Sequence, residues 1–130
     1  MAEKTVRQLA LEYRESLVAM EAIACAEDRG GRRWNIQVHK VQRAQLELRT
    51  TPEGRAAITE MIDDPVPTVA CWAASHALFW AEPTARARLE REREAGGLGG
   101  FDAEMTLKEF DAGRLHHDWQ PTSRTWLRGR

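Results

Sequence analysis

The chain has 130 residues, of which 42% are hydrophobic and 30% charged, and its formal net charge is −1. Those proportions describe one soluble globular domain that buries roughly two thirds of its unfolded surface. They exclude a disordered polyelectrolyte and any strong field for nucleic acid, and no run approaches the ~18 consecutive apolar residues of a membrane span. The opening "MAEKTVRQLALEY" mixes charges into its apolar positions, unlike the uninterrupted apolar core of a signal peptide, so the expected location is cytoplasmic.

In chain order, Val6, Leu9, Tyr13, Leu17, Met20 and Ala24 recur at steps of three and four, the spacing of one helix face. Thr5 is placed to cap that helix, and "DRGG" at 28 to 31 to stop it. Trp34, Val38, Val41, Gln45 and Leu48 repeat the spacing up to "RTTP", where the residue before Pro52 avoids the helical region. These two long helices are expected to pair as an antiparallel hairpin. A short helix follows in "TPEGRAAITEMI", with Thr51 as cap and Pro52 at its first position, weakened by Gly54 by about 1 kcal/mol relative to alanine.

The stretch "DDPVPTVACWAASHAL", residues 63 to 78, reads as a proline corner leading into an alanine-rich helix, and resembles the inner-helix signature of HEAT-like repeats. An aspartate at 63 or 64 accepts backbone N–H bonds near the next helix start, and the alanines at 70, 73, 74 and 77 let neighbouring helices come close. Next, "EPTARARLEREREAGG" predicts a helix with Leu89 inside and Glu and Arg alternating outside. "GGLGG" then reads as a loop or hinge. "MTLKEFDAG" predicts a short closing helix with Thr106 and Glu109 at capping-box spacing, and Gly113 as its terminator. From residue 116 to 130 there is no period, which predicts an extended tail after a single domain over 1–115. No segment alternates as a strand does.

Chemistry-bearing groups are few. Asp63 and Asp64 have no third group at useful spacing. Cys71 and His76 are five apart, about 140° around a helix, so they diverge. His76 is expected to be buried against a backbone carbonyl. His116 and His117 are adjacent and are read as part of a solvated tail. Cys25 and Cys71 lack CxxC spacing and sit among alanines, so both are read as small buried hydrophobes. No catalytic residue, metal ligand or cofactor-binding residue is assigned.

The order long helix, long helix, short helix, proline corner, charged helix and "MTLKEFDAGRL" resembles the small bacterial domain of unknown function 2019, over residues 8 to 115. Members share a "MTL…LDxG"-type ending, which corresponds here to Met105, Thr106, Leu107, Phe110, Asp111 and Gly113, with Phe110 in place of a leucine. The resemblance implies an all-α fold of antiparallel hairpins in a HEAT-like α-α superhelix. It brings no activity, cofactor or catalytic residue. Small HEAT-like bacterial proteins of this kind are often suspected of binding protein partners, including immunity proteins that neutralise a toxin.

The expected function is therefore a non-enzymatic, protein-binding helical scaffold, with toxin neutralisation as its sharpest version and a homodimer as another way of covering its surface. Of the five tryptophans, Trp34 and Trp72 are expected to pack internally. Trp80, Trp119 and Trp126, with Arg124 and Arg128, are the candidate partner-binding residues, since Trp and Arg dominate binding hot spots. The alternative is a nucleic-acid-binding HEAT-like module using Arg29, Arg32 and Arg33 and the tail arginines, which the net charge disfavours.

Overall fold

The computed structural model describes residues 3–26 and 31–121. Helix α1, Val6–Cys25, begins at a complete capping box. The Gln8 N–H donates to Thr5 Oγ1 at 3.1 Å, and the Thr5 N–H donates to Gln8 Oε1 at 2.8 Å. The stop signal after it falls largely outside the described residues, apart from Gly31, which starts α2, Arg32–Leu48. Helix α3, Pro52–Glu60, is capped by Thr51 as read, and passes into a single 3₁₀ turn, Met61–Asp63. Then come α4, Pro67–Ala77; α5, Glu82–Ala95; and α6, Gly97–Asp111. The fold is all-α, with no strand among the described residues.

Helix α4 sits at the centre, packed against α1, α3 and α5, while α2 lies along α1 and α6 along α5. Its Ala70, Ala73, Ala74 and Ala77 are fully enclosed, because a methyl is the largest group that leaves room for helix backbones on several sides. Around them the core is filled by Tyr13, Leu17 and Met20 of α1, Val41 and Leu48 of α2, and Ile58, Ile62 and Leu89. At the corner before α4, Asp64 acts as the sequence suggests: its Oδ1 accepts the Val66 N–H at 2.9 Å. It also accepts two bonds from Arg14, at 2.7 and 3.1 Å, which tie α1 to the corner and hold the Asp64 carboxyl below its usual range.

The sequence expectations fail at five places in the fold. "GGLGG" is not a loop. Gly96 and Gly97, at φ +80° and +74°, make the whole reversal, and α6 starts at once. Gly100 then lies against α5, where a Cβ would fall 2.9 Å from the Glu92 carbonyl oxygen, so packing holds a glycine-rich stretch helical despite its propensity. Thr106 is therefore mid-helix and caps nothing; its hydroxyl donates to the Asp102 carbonyl at 2.9 Å.

Gly54 is not merely tolerated, since a Cβ there would lie 1.9 Å from the Leu48 carbonyl oxygen. Arg88 does not belong to a solvent face, because it turns inward to donate to the Ile62 carbonyl at 3.0 Å and pairs with Glu92. Cys25 is exposed and Cys71 half-buried, so neither is a core residue.

Two substitutions separate packing from propensity. Gly54→Ala should destabilise by about 2 kcal/mol or more through overpacking against the α2 backbone, although alanine is the better helix former. Thr106→Ala should change stability by less than about 0.5 kcal/mol. Urea unfolding of both variants checks this, and a stabilised Gly54→Ala would refute the close α2–α3 approach.

Candidate functional site

Beyond α6 the chain does not become a solvated tail at residue 116. Gly113 turns it at φ +73°, the Arg114 and Leu115 N–H groups donate back to the Glu109 carbonyl, and residues 115–119 cross α4 to reach α2 as a strap. The His117 carbonyl is its main attachment. It accepts bonds from Gln45 Nε2 at 2.6 Å, Gln42 Nε2 at 2.9 Å and an Arg49 N–H at 3.3 Å. The Trp119 carbonyl accepts a second bond from Gln42 Nε2 at 2.7 Å, and the indole meets the His39 ring edge-on.

Under the strap lies a buried polar chain running from Ser75 through two histidines to Tyr13. Ser75 Oγ and His117 Nε2 are 3.0 Å apart, the His117 and His76 rings meet edge-on with centroids 4.6 Å apart, and His76 Nδ1 bonds the Tyr13 hydroxyl at 2.7 Å. His76 is thus buried as expected, but its partner is a side chain from α1 and not a backbone carbonyl. Desolvation holds His76 well below the usual histidine range, with His117 and Arg49 adding to the effect. Desolvation, then Arg49, brings His117 down to about 4. Burial raises the Tyr13 hydroxyl. All three are neutral near pH 7.

The strap forms one end of an open groove of about 670 Å³. Its floor is α4, through Thr68, Cys71, Trp72 and Ser75; the end of α1 makes one bank and the first turns of α6 the other. The walls are mainly apolar, with Trp34, Trp72, Leu98 and Met105. Glu21, Glu92 and Asp102 also line the groove, and among the described residues no lysine or arginine does. Glu21 is held in place by Thr68, accepting from its N–H at 3.3 Å and its hydroxyl at 3.1 Å. Burial, with Glu92 and the other two carboxylates outweighing Arg88, pushes the Cys71 thiol up to about 11. This thiol is not a nucleophile near neutral pH. Among the described residues, no three of His, Cys, Asp and Glu converge as metal ligands, and no helix is long and apolar enough to cross a membrane.

The predicted site residues do not gather here. Trp80 is not an exposed recognition residue: it packs on the core and its indole N–H donates to Thr59 Oγ1 at 2.9 Å. Trp119 is 39% exposed, on the strap beside α2. Trp126, Arg124 and Arg128 lie outside the described residues. Trp34 and Trp72, assigned to the interior, each pack on the core and also line the groove. What the sequence left unread was the groove itself, since its banks are two helix ends remote in sequence and one of them has the composition of a loop.

No protein-family model matches the chain, and no curated protein matches it. Among solved structures it is similar to the crystal structure of the protein RPA1889 from Rhodopseudomonas palustris CGA009, at 22% sequence identity and a TM-score of 0.78. The match covers 88% of this chain and 94% of that one. At that identity the likeness concerns the fold.

The buried histidines make stability depend on pH. Their folded pKa values lie below the unfolded value of about 6.5, so between roughly pH 6.5 and 4 the unfolded chain binds more protons. Stability should be flat between about pH 7 and 8 and fall as pH drops through that window, by about 1 kcal/mol from His117 alone between pH 7.5 and 5.5. Urea unfolding at those two pH values should show a smaller loss for His117→Gln than for the unsubstituted chain. Equal losses would mean that His117 is not held neutral under the strap.

Proposed function

We propose that the protein is a non-enzymatic binding module whose recognition surface is the groove over α4, and that its partner is a segment of another protein. The carrying observation is the groove's composition: apolar walls, three carboxylates and, among the described residues, no lysine or arginine, within the range of about 300 to 1,000 Å³ usual for binding pockets. That chemistry suits an apolar side chain next to a cationic one. The resemblance to the domain of unknown function 2019 family, and the HEAT-like superhelix it implies, agree with a scaffold role. Neutralisation of a toxin is the sharpest form of the same reading.

Ser75 and His117 form a hydroxyl–imidazole pair beside the groove, and they speak for structure over catalysis. A histidine held at about 4 is a poor general base near neutral pH, and its ring is wedged against His76 beneath the strap. Arg32 and Arg33, exposed at the start of α2, support the nucleic-acid alternative, but the groove's carboxylates would repel a phosphate backbone there.

The immobilised protein should retain a partner from its source cells that is lost on Leu98→Lys, at the exposed lip of the groove, and kept on Arg91→Ala, on the exposed face of α5. A loss of at least about tenfold in affinity, close to 1.4 kcal/mol, is the expected size for a lip residue given a charge of the wrong sign. Retention by both variants would place recognition elsewhere on the molecule.

A further inference from the structure

We propose that the groove's resident ligand is the chain's own segment from Thr122 to Arg130, bound in cis, so that an external partner has to displace it. This rests on reading the groove as the recognition surface and names the first molecule it recognises. The segment reads Thr-Ser-Arg-Thr-Trp-Leu-Arg-Gly-Arg: Trp126 and Leu127 side by side, flanked by Arg124, Arg128 and Arg130, with no acidic residue. The groove offers the complement, with Trp72, Leu98 and Met105 as apolar walls and Glu21, Glu92 and Asp102 as carboxylates. The field of those carboxylates reaches the floor, where it helps to raise the Cys71 thiol against the opposing effect of Arg88.

The strap delivers the segment to the right place. Leu115 and His117 already line one end of the groove, and Trp119 is fixed two residues later on α2. The nine residues from Thr122 to Arg130 reach about 30 Å when extended. The 11 residues of α4, which make the groove floor, span only about 16 Å. A return along the whole floor is therefore within reach. Tethering gives such a segment an effective concentration of order millimolar, so a modest intrinsic affinity fills the groove, and a competitor must be correspondingly stronger.

The test uses the full-length chain and a full-length double variant, Trp126→Ala with Arg128→Glu. The probe is a fluorescent synthetic peptide of residues 122–130, titrated by anisotropy at low and high salt. The peptide should bind the double variant at least about tenfold more tightly than the unsubstituted chain, whose groove is already filled, and more weakly as salt rises. Adding Leu98→Lys to the double variant should remove the binding.

Equal affinity for the two chains would overturn the proposal, as would no binding to the double variant. It would also be overturned if the unsubstituted chain is a dimer by light scattering that becomes a monomer in the double variant, since the segment would then come from a second copy. Partner capture that still depends on Leu98 would leave the binding-module reading standing even if the peptide result fails.

Discussion

Everything in this fold depends on how closely helices can approach α4. A central helix packed on several sides has little room for large side chains, and four of the enclosed positions of α4 are accordingly alanine, at 70, 73, 74 and 77. The same constraint recurs at its neighbours: Gly54 admits the α2 backbone and Gly100 admits that of α5. His76 is the polar exception on α4, and it exists only because α1 supplies the Tyr13 hydroxyl. Removing that hydroxyl would leave a buried ring nitrogen with nothing to bond, which typically costs about 1–3 kcal/mol. The structure has thus a tightly packed apolar centre and a single polar seam, and the strap lies along that seam.

The seam explains what holds the strap in place. Its contribution to the core is slight, with Leu115 half-buried and His117 wedged between Ser75 and His76. Most of the attachment comes from α2 and its C-cap, where Gln42, Gln45 and Arg49 point their donors at two carbonyl oxygens. Arg49 also lies over the Phe79 and Trp80 rings, so its charge reaches both buried histidines while its guanidinium remains on an aromatic surface. The groove is what remains open between the strap, the end of α1 and the start of α6.

Most of the helices were legible because their signals are local. Thr5 with Gln8, Thr51 before Pro52, and the proline corner at 65 to 67 are capping and dihedral effects that act within one turn. The apolar spacing of α1 and α2 likewise needs only a helix and a core. What escaped was set by partners far along the chain. "GGLGG" has the composition of a loop, and only the α5 backbone beside Gly100 reveals why it is helical. Thr106 and Glu109 have capping-box spacing by coincidence once the helix begins nine residues earlier than Thr106. Gln42 and Gln45 looked like ordinary residues of an amphipathic helix, since nothing within α2 indicates that a carbonyl 72 or more residues away will need them. The groove was illegible for the same reason.

The strap's mode of attachment bears on how this protein can change over time. Two glutamines of α2 and Arg49, just past its end, recognise the strap by its peptide carbonyls, a feature that every amino acid carries. Positions 116, 118 and 120 project no group into that attachment, so mutation can rewrite them freely while the crossing persists. Related chains would then keep the geometry of this region and lose its spelling. The conserved record of the strap would be found on α2, in a pair of glutamines one helical turn apart, far from the segment they hold.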